Sequence, residues 1–152
     1  PKTDLQLKCG TSNWLLQQLS SGELDVLLLF GSFPLAKTPI VQEVVQKQAL
    51  GLMAAKNVKW KNLYVSAAHR ELVKELQLPK SNIIFVEGAE SSVGQLAQVT
   101  GEAALGPTVL ASAYGMQILT EYEHTTTLNL FHFEESYCGP LAKKFIEEVK
   151  FP

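Results

Sequence analysis

The residues best suited to chemistry near the start of this 152-residue chain are Gly10-Thr11-Ser12-Asn13. Three short polar side chains follow a glycine and precede Trp14, Leu15, Leu16 and Leu19, whose spacing predicts a helix. Gly10 supplies the turn and Thr11, Ser12 or Asn13 caps the helix. The unpaired backbone N–H groups at such a helix start are a seat for a small anion or polar ligand. Ser66-Ala67-Ala68-His69 reads as a second loop able to cap a helix, with Arg70 next to it. A guanidinium there can grip a carboxylate through two parallel N–H bonds, although an exposed Arg at a helix start is more often solvated. For every Ser and Thr the plainer role is the cap alone.

Catalysis has no comparable support. The chain contains no Gly-x-Ser-x-Gly, no phosphate loop and no Gly-x-Gly-x-x-Gly. Glu134-Glu135 and Glu121/Glu123 are paired carboxylates that strand alternation or loop exposure explains. His124 and His132 do not cluster with carboxylates or cysteines at any metal-ligand spacing, and Cys9 and Cys138 match no Cys-x-x-Cys. The cysteines read as free thiols of a reducing compartment. Tyr137-Cys138-Gly139-Pro140 before a helix resembles a thioredoxin-type redox motif. Leu141-Ala142 stand where its second cysteine would be, so only a redox-inactive module could follow. The expectation is a protein that is not an enzyme and has no cofactor and no metal site.

The elements that must position these groups alternate between strand and helix. A strand is expected at Leu5-Gln6-Leu7-Lys8, then the helix at Trp14–Leu19, then an apolar strand at Val26–Phe30. The first helix start would then sit at the open end of a parallel sheet. Gly31–Pro39, with two prolines, is a loop past a strand's carboxyl end, where open α/β sheets place ligands. Ile40–Ala55 is ambiguous, since its apolar residues fit either a helix or strands. Leu63–Val65 is a strand, Arg70–Leu78 a helix stopped by Pro79, Ile83–Val86 a buried strand, and Val93–Val99 a helix ended by Gly101. His124–Thr127 links to a strand at Leu128–Phe133, and Pro140 opens a closing helix at Leu141–Val149.

Composition bounds the class. Hydrophobic residues make up 46% and charged residues 18%, which is globular. Thirteen Lys and Arg against 15 Asp and Glu give a net charge of −2, without the basic excess that a duplex-binding surface needs. No apolar run approaches the ~20 residues of a membrane helix, and Pro1-Lys2-Thr3-Asp4 does not read as a leader, so no membrane partner and a cytoplasmic location are expected.

The order of motifs resembles one family along nearly the whole chain. Leu5-x-Leu7-x-x-Gly10-Thr11-Ser12, Gly22-Glu23-Leu24-Asp25 before an apolar strand, Thr38-Pro39-Ile40-Val41-Gln42-Glu43, His69-Arg70, Val86-Glu87, Ser91-Ser92, Leu96 to Gly101, and a turn at Leu105-Gly106-Pro107 fall in sequence. Together they resemble the effector domain of LysR-type transcriptional regulators. The departure is at Gly101-Glu102-Ala103-Ala104, where that family more usually has Gly-x-Gly-Ile.

The resemblance implies an α/β fold of the type-2 periplasmic-binding-protein kind. Two Rossmann-like lobes share a hinge, lobe I at about 1–45 and 108–152 and lobe II at about 46–107, with the N-terminal part truncated because the family's leading strand and helix are not matched. It favours strands over Ile40–Ala55. It implies ligand contacts from Gly10, Thr11, Ser12, Gly31 and Ser32 on one lobe and from Ser66, His69 and Arg70 on the other. It further implies a small-molecule effector, a homo-oligomer (dimer or tetramer), and DNA contact only through a separate N-terminal domain. The alternative from another class is a solute-binding protein of a transport system.

Overall fold

The computed structural model describes residues 4–31, 33–35, 37–87 and 90–150. Its elements in chain order are α1 (Ser12–Ser20), β1 (Val26–Phe30), β2 (Ile40–Ala55), β3 (Asn62–Ser66), α2 (Arg70–Val73), β4 (Asn82–Val86), α3 (Glu90–Thr100), β5 (Ala103–Pro107), β6 (Met116–Phe133) and α4 (Pro140–Lys150), with short 3₁₀ turns between some of them. The strands form one six-stranded sheet in the order β1-β6-β2-β5-β3-β4. Two of them do most of the joining. β2, of 16 residues, and β6, of 18, pair antiparallel from Ile40↔Phe133 to Ala55↔Met116, and so run through both ends of the molecule.

Each end of that pair carries its own core. At one end Leu15 and Leu19 of α1 pack on Leu27 and Leu29 of β1, Ile40 and Phe131. At the other end the alternation of the strands supplies two faces. Leu52, Ala54, Leu63, Val65, Ala103 and Leu105 lie on one face, while Met53 and Ala104 lie on the opposite face with Val93 and Ala97 of α3, Ala111 and Met116. The β2–β6 ladder slips register at Val44/Gln46 and Ala49/Gly51, on the way from one core to the other, and again at Leu52/Met53 inside the second core, and such bulges bend a strand pair.

Several expectations are corrected. Leu5–Lys8 is not a strand: it does not add to the open edge of β1, and Leu5 and Leu7 are exposed, so no apolar burial holds it there. The sheet is mixed and not parallel throughout; parallel pairing is confined to β5-β3-β4. Ile40–Ala55 is a single strand, resolving the ambiguity in favour of β-branched propensity over helical spacing. His124–Thr127 is no link but the middle of β6, as three consecutive threonines allow.

The helix expected over Arg70–Leu78 is only the one turn of α2, continued by i→i−3 bonds at Lys74, Glu75 and Leu76. β4 is an edge strand with Ile83 and Ile84 more than a third exposed, and not the buried strand its composition suggests. The Leu105-Gly106-Pro107 turn is instead the end of β5, a strand buried at all five positions; its Ala, Leu and Gly residues are small enough for α3 to pack on one face. Thr11 caps α1, Gly101 ends α3 at φ +68°, and Pro140 opens α4.

Candidate functional site

Between the two cores lies a cavity of about 510 Å³. One wall is the start of α1, where Thr11, Ser12 and Asn13 face it, together with Phe30 at the end of β1 and Phe33. The other wall is built at the carboxyl ends of the parallel strands: Ser66 ends β3, Glu87 follows β4, Arg70 opens α2 and Glu90 opens α3. That is where loops leave a parallel array and leave space for a ligand.

The first wall follows from local sequence. Thr11 accepts a hydrogen bond from the Trp14 N–H at 3.3 Å through its Oγ1, and its own carbonyl accepts from Leu15 at 2.9 Å. The N–H groups of Ser12 and Asn13 precede the helical ladder and are free to point at the cavity. Ser12 is buried, and its Oγ has no partner. Gly10 does not line the cavity. A side chain there would collide with the Trp14 ring at 2.6 Å, so the glycine lets Trp14 fold back and fixes how the chain enters α1.

On the second wall Ser66, 3% exposed, spends its Oγ on the N–H of Ala68 at 3.3 Å and so caps the 3₁₀ turn Ala67–His69. That turn aims His69 inward, where its Nε2 meets Oε1 of Glu90. The His69 and Glu90 side chains are only 12% and 3% exposed, so this is an interior ion-pair geometry and not a surface one. Oε2 of Glu90 is buried and unpartnered. Arg70 carries its guanidinium carbon 4.4 Å from the centroid of the Phe85 ring, a cation–π contact that steadies the side chain at the cavity wall.

Of the sequence-derived candidates, the structure therefore brings Thr11, Ser12, Ser66 and Arg70 to one cavity. His69 stands behind it and holds Glu90. Gly31 shapes the turn after β1 at φ +86°, donating to Thr127 and accepting from Asn129 Nδ2, each at 2.7 Å. Ser32 lies outside the described residues. Sequence reasoning missed Glu87, Glu90, Phe30 and Phe33. Acidic residues before a helix are ordinary, and nothing in Glu87-Gly88-Ala89-Glu90 marks the last of them as interior. Cys138 does not line the cavity, and among the described residues no cluster of His, Cys, Asp and Glu could hold a metal ion.

No protein-family model and no curated protein sequence matches the chain. Solved structures do match it by shape. Full-length HypT from Salmonella typhimurium, a hypochlorite-specific LysR-type transcriptional regulator, superposes with a TM-score of 0.61 at 12% identity over 94% of this chain. The chain spans 56% of that protein's length. The effector-binding domain of QuiR in complex with shikimate superposes at 0.58 and 19% identity, over 92% of this chain and 77% of that one. The regulatory domain of CcmR from Synechocystis PCC6803 in complex with 2-PG superposes at 0.63 and 11% identity, over 97% and 82%. These three are a full-length regulator and two regulator domains. The sheet order, the two cores on one bent strand pair and the cavity between them give this chain the fold of the effector domains of LysR-type transcriptional regulators, of the type-2 periplasmic-binding-protein kind.

Proposed function

We propose that the chain is the ligand-sensing part of a LysR-type regulator, binding a small metabolite between its two halves. The observation that carries this is the cavity whose walls come from separate cores, with α1 on one side and the Ser66–Arg70 segment and Glu90 on the other. A ligand touching both walls favours one relative arrangement of the halves over others, which is the condition for it to act at all. In this reading the halves are the expected lobes at about 1–45 with 108–152 and about 46–107, less the part of 108–152 that packs on the second core. Ala111, Tyr114 and Met116 pack on the second core and move with it in this reading. In this reading the regulator acts in the cytoplasm as a homodimer or tetramer and touches DNA through a separate domain; the matched full-length regulator is longer than the region this chain spans, which leaves room for one there. No helix among the described residues is long and apolar enough to cross a membrane.

The test is a thermal-shift screen of the chain against a broad metabolite collection, repeated on Ala68→Trp. Ala68 is an exposed residue of the cavity wall, so the indole fills the space without disturbing either core. Hits that raise the melting temperature of the wild type and not of the variant support the reading. Hits indifferent to the indole, or none at all, overturn it.

A further inference from the structure

Along the free edge of β1 run two adjoining hollows of about 320 and 300 Å³. Their far wall is the stretch Asp4–Gly10, which lies beside β1 without pairing to it. α1 closes one face of the space with Leu15, and α4 closes the other with Leu141 and Phe145. The two helices lie on opposite faces of the sheet because Leu27 and Leu29 pack on α1, whereas Leu28 shares its face with Leu130 and Glu43, to which Lys150 of α4 is bound. A space bounded by a strand edge, a second extended stretch and a helix on each face has the shape of one strand. Its apolar groups are unmet: Leu28 is 39% exposed, Leu5 63% and Leu7 83%. An edge of this kind invites pairing with another chain.

The stretch that walls the slot is also suited to fill it in another copy. Asp4-Leu5-Gln6-Leu7-Lys8 is self-complementary. In an antiparallel pair with a two-fold axis at Gln6, Leu5 stands opposite Leu7, Asp4 opposite Lys8 and Gln6 opposite itself, and the members of each pair share a face. The hollow nearer the start of β1 reaches Asp4 and the one further along reaches Gly10, so the stretch runs in the same sense as β1. A second copy's stretch, antiparallel to the first, is then antiparallel to β1 as well. Its Lys8 arrives at Glu23 and Asp25, the acidic entry to β1. Opposite charges meet at both borders of the inserted strand.

Resting on the reading of the chain as a homo-oligomer, we propose that this slot is a dimer interface in which each copy lays Asp4–Lys8 between β1 and Asp4–Lys8 of the other. The order across the joint is β1, the second copy's stretch, the first copy's stretch and the second copy's β1. Two sheets become one, and the open edge of β1 disappears in both. Because the exchange is reciprocal, it closes at two copies. It takes Leu5, Leu7 and Leu28 out of water and pairs the backbone groups of the edge.

Sedimentation velocity over a concentration series is expected to show a monomer–dimer equilibrium. Lys8→Glu and Asp4→Lys each set like charges across the joint twice over, so each variant alone should dimerise about tenfold more weakly. An equimolar mixture of the two restores opposite charges and should give a mixed dimer tighter than either variant's own. Leu7→Lys should be monomeric and keep the melting temperature of the wild-type monomer, since that side chain is exposed in the single copy. In a Cys9→Ser/Cys138→Ser background, which removes the free thiols, Gln6→Cys puts a cysteine opposite itself at the axis and should cross-link the dimer on mild oxidation. Val99→Cys, equally exposed but on α3, should not.

A dimer indifferent to the charge reversals and to Leu7→Lys places the joint elsewhere and overturns this interface, while the homo-oligomer stands. A chain monomeric at every concentration, with no cross-link through Gln6→Cys, overturns both. Neither outcome touches the cavity, which the metabolite screen and Ala68→Trp test separately.

Discussion

At the scale of single residues, the placement of Glu90 depends on a glycine one turn further along α3. The Tyr114 ring lies against Gly94, and its hydroxyl, pushed up in pKa by burial, donates to the carbonyl of Ser91 at 3.0 Å. A Cβ at position 94 would come within 2.5 Å of the ring. Gly94→Ala therefore sets two effects against each other. Alanine in a helix gains up to about 1 kcal/mol over glycine, while forcing a methyl into packed space costs about 1–3 kcal/mol. Because a rigid ring tied at its hydroxyl yields poorly, overpacking wins. Urea unfolding is expected to show a lower midpoint with an unchanged slope. The same displacement moves the start of α3, so calorimetry should also show weaker ligand binding; a variant as stable as wild type with full affinity would mean the ring gives way freely.

At the scale of elements, α4 is tied to the sheet by one carboxylate. Glu43 on β2 accepts from Nε2 of His132 on β6 at 2.9 Å and from Nζ of Lys150, in the last turn of α4, at 2.9 and 3.1 Å. The His132 hydrogen bond, then that of Lys150, holds the Glu43 carboxyl below its ordinary value of 4.5. The folded state thus gives up this proton more readily than the unfolded chain. Its contribution is complete above the ordinary value and disappears as pH falls through the lowered one. Glu43→Gln should therefore be less stable than wild type at about pH 6, with the gap closing towards about pH 3. Denaturant titrations of both proteins across that range check it, and a gap that stays constant or widens in acid would contradict the linkage.

His132 and Glu43 illustrate what could be read before the structure and what could not. The strands at 26–30, 63–65 and 128–133 and the helices at 14–19, 93–99 and 141–149 showed in local periodicity, because each buries one stripe or face. So did the caps at Thr11 and Gly101, which answer to backbone geometry alone. β5 hid because a strand covered on both faces has no alternation, and its small residues mimic a turn. The site was half legible for a related reason. Thr11, Ser12, Ser66 and Arg70 sit at element ends that pattern reveals, whereas the meeting of His69 with Glu90, 21 residues apart, depends on how β3 and β4 lie side by side.

At the scale of the whole molecule, the charge balance argues against duplex contact by this chain. Duplex affinity comes largely from cations that displace condensed counterions, and it needs a surface with a clear basic excess. This chain carries 13 basic and 15 acidic side chains. Of the basic groups, Lys150 is also held by the half-buried Glu43, and Lys74 and Lys143 lie beside Glu71 and Glu135 on the surface. Arg70, the cation among the cavity's described lining residues, leans on Phe85. The expected outcome is that the chain by itself shows no mobility shift of a duplex at physiological salt, with or without a cavity ligand. Residual binding at very low salt should vanish steeply as salt rises, in the manner of a non-specific encounter. Retention that persists at physiological salt would require a basic face that the sequence's charge balance does not supply. It would also mean that this domain reads DNA itself, and need not act through the arrangement of its two halves.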